Sequence, residues 1–271
     1  MDKYLVFGNP IAQSKSPAIH QMFAEQTKQS MHYDKFLSNV DDFVKDIESF
    51  KLAGGKGANI TAPFKEQAMK MCDQLSSRAQ AAGAVNTLIF SKQGITGDNT
   101  DGVGLVNDLI TQQVTLTGKK VLLMGAGGAS RGVILPLLAQ NPEQLIIVNR
   151  TTDKAMQLAK RFDDPRLTVI TFAETEKHSF DVIINATSAS LSANLPALSA
   201  NAITAQTVCY DMVYGKQLSP FLIWCQQQGA KQVIDGLGML VGQAAESFYL
   251  WRKVSPEPLP VMQRLRDQLR A

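Results

Sequence analysis

Short apolar runs alternate along this chain with longer stretches in which apolar positions recur every three to four residues. That alternation predicts an α/β protein with largely parallel sheets. In the first hundred residues the runs predict strands at about 4–7, 31–37, 57–61 and 84–90. Ser16-Pro17 precede the helical stretch 18–24, so Ser16 is expected as N-cap and Pro17 as the first helical residue, with Ser14 and Ser16 on the turn that feeds the helix. Residues 56–66 read as a strand, a bend at Pro63 and a helix starting there, which puts Lys65 in its first turn. After a helical stretch at 102–113, the unbroken apolar run 121–124 has the look of a strand buried on both faces. Similar runs follow at 145–148, 167–171, 181–184 and 207–210, and from Leu237 onward the pattern is wholly helical.

Composition narrows this picture. With 271 residues, 45% of them hydrophobic and 19% charged, the chain can bury a sizeable core, as two domains sharing a cleft or as one barrel. The net charge of +3 comes from 27 basic and 24 acidic residues scattered without basic blocks, so no nucleic-acid partner is expected and a small anion fits as well. Cys72, Cys209 and Cys225 are too few and too widely spaced for a disulfide framework or a zinc site, and no metal is expected. The first apolar run is too short for a signal peptide and no later one approaches a membrane span; a cytoplasmic protein without a membrane partner is the expectation.

The strand at 121–124 runs directly into Gly125-Ala126-Gly127-Gly128-Ala129-Ser130, followed by a helix and the strand at 145–148. Strand, glycine turn, helix and strand make a dinucleotide-binding unit, in which the first glycine permits the tight turn and the second lets backbone amides approach a pyrophosphate at the helix N-terminus. Ser130 stands where the fingerprint has its third glycine and is small enough for close helix packing. An NAD site places a carboxylate near the end of the second strand, whereas this chain has Asn149 there, then Arg150, Thr151 and Lys154. Two cations and a hydroxyl suit a 2′-phosphate, so NADP is the predicted cofactor; the alternative is that Arg150 and Lys154 merely begin a solvated helix.

Three residues of the first hundred or so have open readings. Lys65, if in a first helical turn, sits where the helix dipole disfavours an ammonium ion, as a general base requires; an opposing carboxylate would push the other way, and an exposed helix lysine is the plain alternative. Asp101, in the polar, glycine-rich segment 97–104, is either functional or the cap of the next helix. Asn86, polar within the apolar strand 84–90, is either a ligand or a satisfied core amide.

Over essentially its whole length the chain resembles the shikimate dehydrogenase family. The resemblance rests on Phe7-Gly8-Asn9-Pro10-Ile11, Ser14-Lys15-Ser16-Pro17, the segment from Gly57 to Lys65, Gly83-Ala84-Val85-Asn86-Thr87 and the segment 97–104. It continues in the same order with Asn149-Arg150-Thr151, Asn185-Ala186-Thr187-Ser188 and Asp235-Gly236-Leu237-Gly238-Met239-Leu240. It implies a two-domain α/β fold: a catalytic domain over 1–101, a Rossmann-like NADP domain over 102–236, and C-terminal helices over 237–271 returning to the first. It further implies reversible NADPH-linked reduction of 3-dehydroshikimate to shikimate. Lys65 would be the acid/base and Asp101 its partner, with Ser14 and Ser16 on the substrate carboxylate and Thr61, Asn86, Tyr214 and Gln243 as further substrate contacts. Gly125, Ala126, Gly127, Gly128 and Ala129 would take the pyrophosphate, Asn149 to Lys154 the adenosine end, and Met212 and Gly236 the neighbourhood of the nicotinamide, with Thr187 on the same side.

The chain departs from the family pattern at Ala189-Ser190, where a glycine is usual, and at Ser219, where threonine is usual. Two rivals stand beside this reading: an NAD-using quinate/shikimate dehydrogenase, and a non-catalytic NADP-binding regulator. Asn149, Arg150 and Lys154 speak against the first; Lys65, Asp101, Asn86 and the two serines speak against the second. The expected assembly is a monomer or homodimer.

Overall fold

The computed structural model describes residues 1–187, 195 and 197–270. The chain divides into two compact units, Met1–Gly104 with Leu240–Arg264, and Leu105–Met239 with Leu265–Ala271.

In the first unit the elements run β1 (Asp2–Gly8), α1 (Ser16–Thr27), β2 (Met31–Leu37), α2 (Phe43–Leu52), β3 (Gly57–Ile60), α3 (Lys65–Lys70), β4 (Gln74–Leu75), α4 (Ser77–Ala82), β5 (Thr87–Ser91) and β6 (Gly94–Asp98). They form one sheet in the order β2-β1-β3-β5-β6-β4. Helical crossovers make β1, β2 and β3 parallel, but β5 is antiparallel to both β3 and β6. This sheet is therefore mixed where a largely parallel one was expected. The cause is a hairpin between β5 and β6, turning at Gly94, whose φ of +123° suits glycine. Neither β4 nor β6 was legible as a strand: the first has two residues, and in the second Gly94, Gly97 and Asp98 interrupt the apolar pattern.

Two helix starts also differ from expectation. α1 begins at Ser16 itself, with Lys15 at the cap position and no side-chain cap. Pro63 lies before α3, in a turn closed by the Phe64 amide donating to the Thr61 carbonyl at 3.0 Å, so the helix starts only at Lys65. One face of the sheet packs Phe7, Phe43, Ile47, Phe64, Val85 and Leu88, with the Phe43 and Phe64 rings stacked at 4.5 Å. A smaller cluster holds Tyr4, Val6, Ile11 and Tyr33 against Trp251.

The second unit contains β7 (Lys120–Met124), α6 (Gly128–Leu138), β8 (Gln144–Val148), α7 (Thr152–Ala159), β9 (Leu167–Ile170), β10 (Val182–Asn185), β11 (Val208–Asp211), α8 (Pro220–Gln227) and β12 (Gln232–Asp235). Its six strands are parallel throughout, in the order β12-β11-β10-β7-β8-β9. Counted along the chain this is the doubly wound order 3-2-1-4-5-6, with the reversal between β7 and β10. Along β7 successive side chains enter opposite cores: Val121 and Leu123 join Leu105 and Val133, while Leu122 and Met124 join Phe180 and Phe221. A strand covered on both faces needs apolar residues at every position, hence the unbroken run. β12 escaped the sequence reading because only Val233 and Ile234 are apolar.

The α-helices not yet named among the described residues are α5 (Asp101–Thr111), α9 (Leu237–Arg252) and α10 (Pro258–Arg270). Among the described residues no helix is long and apolar enough to cross a membrane.

Candidate active site

Topology gathers the polar residues of the first unit at one sheet edge. β1 and β3 are parallel neighbours, so the segment with Ser14 and Ser16 and the segment with Thr61 and Lys65 leave from the same edge. The antiparallel β5 starts where β3 ends, pairing Thr87 with Asn59, and β6 ends beside Thr87 at Asp98. Asn86, just before β5, and Asp101, just after β6, therefore arrive at that edge too. Asn86 is tied on both sides by its backbone: its N–H donates to the Asp98 carbonyl at 3.0 Å, and its carbonyl accepts from Ile60 at 2.8 Å.

Side-chain contacts complete the cluster. Lys65 Nζ donates to Asp101 Oδ2 at 2.6 Å, and Asn86 Nδ2 donates to the other carboxylate oxygen at 2.8 Å. Asp101 is the first residue of α5, yet its carboxylate is engaged by Lys65 and Asn86, while its own amide is capped by Asn99 Oδ1 at 3.2 Å. Lys65 is 32% exposed and Asp101 14%, so the pair is reachable from outside yet sheltered. Gln243 on α9 reaches Asn86 with its Oε1 at 3.4 Å. Ser14 Oγ accepts the Ser16 amide at 3.3 Å. Thr61 is half-buried beside Gly8, where an added Cβ would lie 2.4 Å from the threonine methyl. Tyr33 is buried, which pushes its phenol well above the usual range, with a hydrogen bond from Ser16 opposing.

In the second unit the glycine turn lies at the strand-order reversal. Gly125, with φ +116°, follows β7; its amide donates to the Val148 carbonyl at 2.8 Å, and a Cβ there would meet Ser130 Oγ at 3.1 Å and Thr187 Cγ2 at 3.2 Å. Thr187 is thus brought beside the turn, and its hydroxyl donates to Asn185 Oδ1 at 2.7 Å. Gly127 caps α6, and a Cβ built on it would meet nothing within 4 Å, which leaves open space at the helix N-terminus. Ser130 is wholly buried, as close packing of that helix requires. Asn149 to Thr151 follow β8, with Asn149 Nδ2 bonded to the Thr151 carbonyl at 2.9 Å, and the side chains of Arg150 and Lys154 are exposed.

The glycines after β12 answer to close approach. A Cβ on Gly236 would lie 2.1 Å from the Met212 carbonyl oxygen, and one on Gly238 would lie 2.1 Å from the Asp108 carboxylate. Burial pushes the Asp108 carboxyl up, and the Tyr210 hydroxyl, 2.6 Å away, partly offsets this.

Three family models match the chain in sequence order: a shikimate dehydrogenase substrate binding domain over residues 6–88, shikimate/quinate 5-dehydrogenase over 108–206, and a shikimate 5′-dehydrogenase C-terminal domain over 236–266. The shikimate dehydrogenase (NADP(+)) of Colwellia psychrerythraea is 57% identical over 99% of this chain and 98% of its own. The chain belongs to the shikimate dehydrogenase family. The NADP(+) enzyme of Photobacterium profundum is 58% identical over 98% of both chains. Shikimate 5-dehydrogenase from Thermus thermophilus, solved with NADP(H) and shikimate, is 30% identical with a TM-score of 0.89, over 99% of this chain and 100% of that one.

Within this member of the shikimate dehydrogenase family, the serine at 219 keeps the one group its position uses. The Ser219 hydroxyl donates to Asp211 Oδ2 at 2.5 Å and accepts the Leu222 amide as the N-cap of α8. The extra methyl of threonine has no part in either bond. Ala189-Ser190 lie outside the described residues. Tyr214 belongs to the second unit, and burial raises the pKa of its phenol. Sequence reasoning missed Asn59, Thr87, Thr100 and Ser247, all buried and hydrogen-bonded around Asn86 or its neighbours. The available signals were a polar Asn59 inside the strand Gly57–Ile60 and a serine one helical turn after Gln243.

Proposed function

We propose that this chain catalyses the reversible NADP-linked interconversion of 3-dehydroshikimate and shikimate, the step its resemblance implies in aromatic amino acid biosynthesis. The observation that carries the reading is the Lys65–Asp101–Asn86 cluster: an amine held 2.6 Å from a carboxylate that a buried amide also grips. Full-length relatives at 57% and 58% identity bear the name of this activity.

The residues fit the dinucleotide. Open space at Gly127, the N-terminus of α6 and the strand reversal beside Gly125 suit a pyrophosphate, which Gly125 to Ala129 would hold. Asn149, Arg150, Thr151 and Lys154 would hold the adenosine end and its 2′-phosphate, with Asn149 in the place where an NAD site has its carboxylate. Thr187, Met212 and Gly236 would border the nicotinamide. When bound, the nicotinamide supplies or accepts the hydride.

The chain's own work is on the proton and the ring. As shikimate is oxidised, the carbinol hydrogen leaves as hydride and the Lys65 amine takes the hydroxyl proton; in reduction the Lys65 ammonium returns that proton to the carbonyl oxygen. Asp101 holds Lys65 in place and accepts a substrate hydroxyl. Ser14 and Ser16 would bind the carboxylate, and Thr61, Asn86, Tyr214 and Gln243 the remaining oxygens, so an analogue lacking one leaves a polar group unpaired. All these residues belong to one chain, so a monomer or homodimer suffices. A cytoplasmic location accords with three unpaired cysteines.

The deciding experiment follows NADP+ reduction spectrophotometrically with shikimate, beside quinate and NAD+. Shikimate with NADP+ should be strongly preferred. Comparable quinate turnover or a preference for NAD+ points to the quinate/shikimate rival, and NADPH binding without any shikimate oxidation points to a regulator.

A further inference from the structure

The Asn86 side chain is a primary amide whose oxygen and nitrogen are nearly the same size, so only its hydrogen-bond partners decide which of them faces Asp101. On one side stands the backbone N–H of Thr100, which can only donate, 2.9 Å from Asn86 Oδ1. The Thr87 hydroxyl donates to the same oxygen at 2.8 Å. The amide nitrogen is thereby turned toward Asp101 Oδ1 at 2.8 Å and Thr100 Oγ1 at 2.9 Å. Were the amide reversed, its carbonyl oxygen would confront the carboxylate.

Thr87 has one hydroxyl hydrogen and can spend it on Asn86 only if its other neighbours do not claim it. Those neighbours are arranged accordingly. Asn59 Nδ2 donates toward Thr87 Oγ1 at 3.2 Å and toward Ser247 Oγ at 3.0 Å. The orientation of Asn59 is itself fixed, because its Nδ2 also meets the Asn86 backbone carbonyl, a pure acceptor, at 3.2 Å, while its Oδ1 accepts from the Tyr33 hydroxyl at 2.7 Å. Ser247 Oγ lies 2.8 Å from Thr87 Oγ1 and can place its own hydrogen on that oxygen, which leaves the Thr87 hydrogen for Asn86. Every hydrogen in the group has an acceptor, and Asn59, Thr87 and Ser247 are at most 6% exposed, so none of them is a surface contact for substrate.

We infer that Thr87, Ser247 and Asn59 are positioning residues that lock the Asn86 amide with its N–H on Asp101, and so hold the carboxylate where it meets Lys65. The inference rests on the proposed dehydrogenase chemistry.

Thr87→Val removes the hydroxyl at nearly constant volume. Its kcat for shikimate oxidation should fall about tenfold while KM for shikimate and for NADP+ stays within about twofold, and Thr87→Ser should recover most of the lost kcat. In an Asn86→Ala background the same Thr87→Val change should have almost no further effect, because its target is gone. Side-chain amide NMR gives a readout independent of turnover: one Asn86 NH2 pair in the wild type, and an exchange-broadened or displaced pair in Thr87→Val. Ser247→Ala should show the same kcat pattern at smaller size, and it carries the test if Thr87→Val fails to fold. Wild-type kcat in a folded Thr87→Val, a Thr87→Ser as slow as Thr87→Val, or a full tenfold loss persisting without Asn86 would overturn the inference while the dehydrogenase reading stands. A wild type that never oxidises shikimate overturns that reading and the inference together.

Discussion

In the first unit the candidate site consists of side chains backed by a second layer of buried side chains, from Tyr33 through Asn59, Thr87 and Asn86 to Asp101 and Lys65. In the second, the corresponding face offers backbone amides at Gly127 and α6, with exposed cations at Arg150 and Lys154. The sheets differ to match. The mixed sheet brings strand starts and strand ends to one edge, so residues far apart in the chain converge there. The wholly parallel sheet, apolar on both faces, presents only the segments that follow its strands. Proton transfer needs groups placed to a fraction of an ångström, which a buried polar network provides. Holding a phosphate needs amides and charge, which under the proposed function a helix N-terminus and two exposed cations would provide.

The contrast breaks first at Lys65. Lys65→Ala should lower kcat by roughly 10²–10⁴-fold, the range for loss of a general acid/base, with NADPH affinity nearly unchanged by fluorescence titration. An equal loss of cofactor affinity would mean that the two units do not divide the work in this way. Arg150→Ala should do the reverse, weakening NADPH by about 10–100-fold, as for one lost charged hydrogen bond of about 1.5–3 kcal/mol, with NADH much less affected. Equal effects on both nucleotides would remove the 2′-phosphate assignment.

A smaller effect sharpens the contrast through pH. His20 is wholly buried, stacked on Tyr33 at 4.2 Å, and burial lowers its pKa from 6.5 to about 3. Its neutral form is favoured by folding, so its stabilisation is complete above the unfolded-state value of 6.5 and is lost as pH falls toward about 3. The slope should approach about 1.4 kcal/mol per pH unit within that window. Urea midpoints measured across it should fall with pH in the wild type and fall less in His20→Phe. An unchanged slope in the variant would show that another group carries the acid sensitivity.

The doubly wound half was largely legible because strands buried on both faces announce themselves as apolar runs, as at 121–124 and 145–148, with the glycine turn directly after the first. β6 and β12 were not, since Gly94, Gly97 and Asp98 in one and Gln232 and Asp235 in the other answer to neighbours that no local pattern reveals. Pro63 pointed to a helix start but occupies the turn before it, because the Thr61 carbonyl takes the Phe64 amide first. Lys65 and Asp101 were individually ambiguous. Their meeting at 2.6 Å depends on β3 and β6 sharing an edge through β5, a fact of topology and not of composition. Ser247 was invisible for the same reason: one serine on an apolar helix says nothing until Thr87 is found 2.8 Å away.

The exposure of Arg150 and Lys154 has a consequence for the protein at work. Charges in contact with solvent share it with every mobile ion, and at about 0.15 M salt their influence is largely spent within about 8 Å. Preference for the phosphorylated dinucleotide should therefore narrow as ionic strength rises, while the sheltered Lys65–Asp101 pair is much less affected. A cell that concentrates salt would blunt this enzyme's choice of electron carrier before it slowed the chemistry.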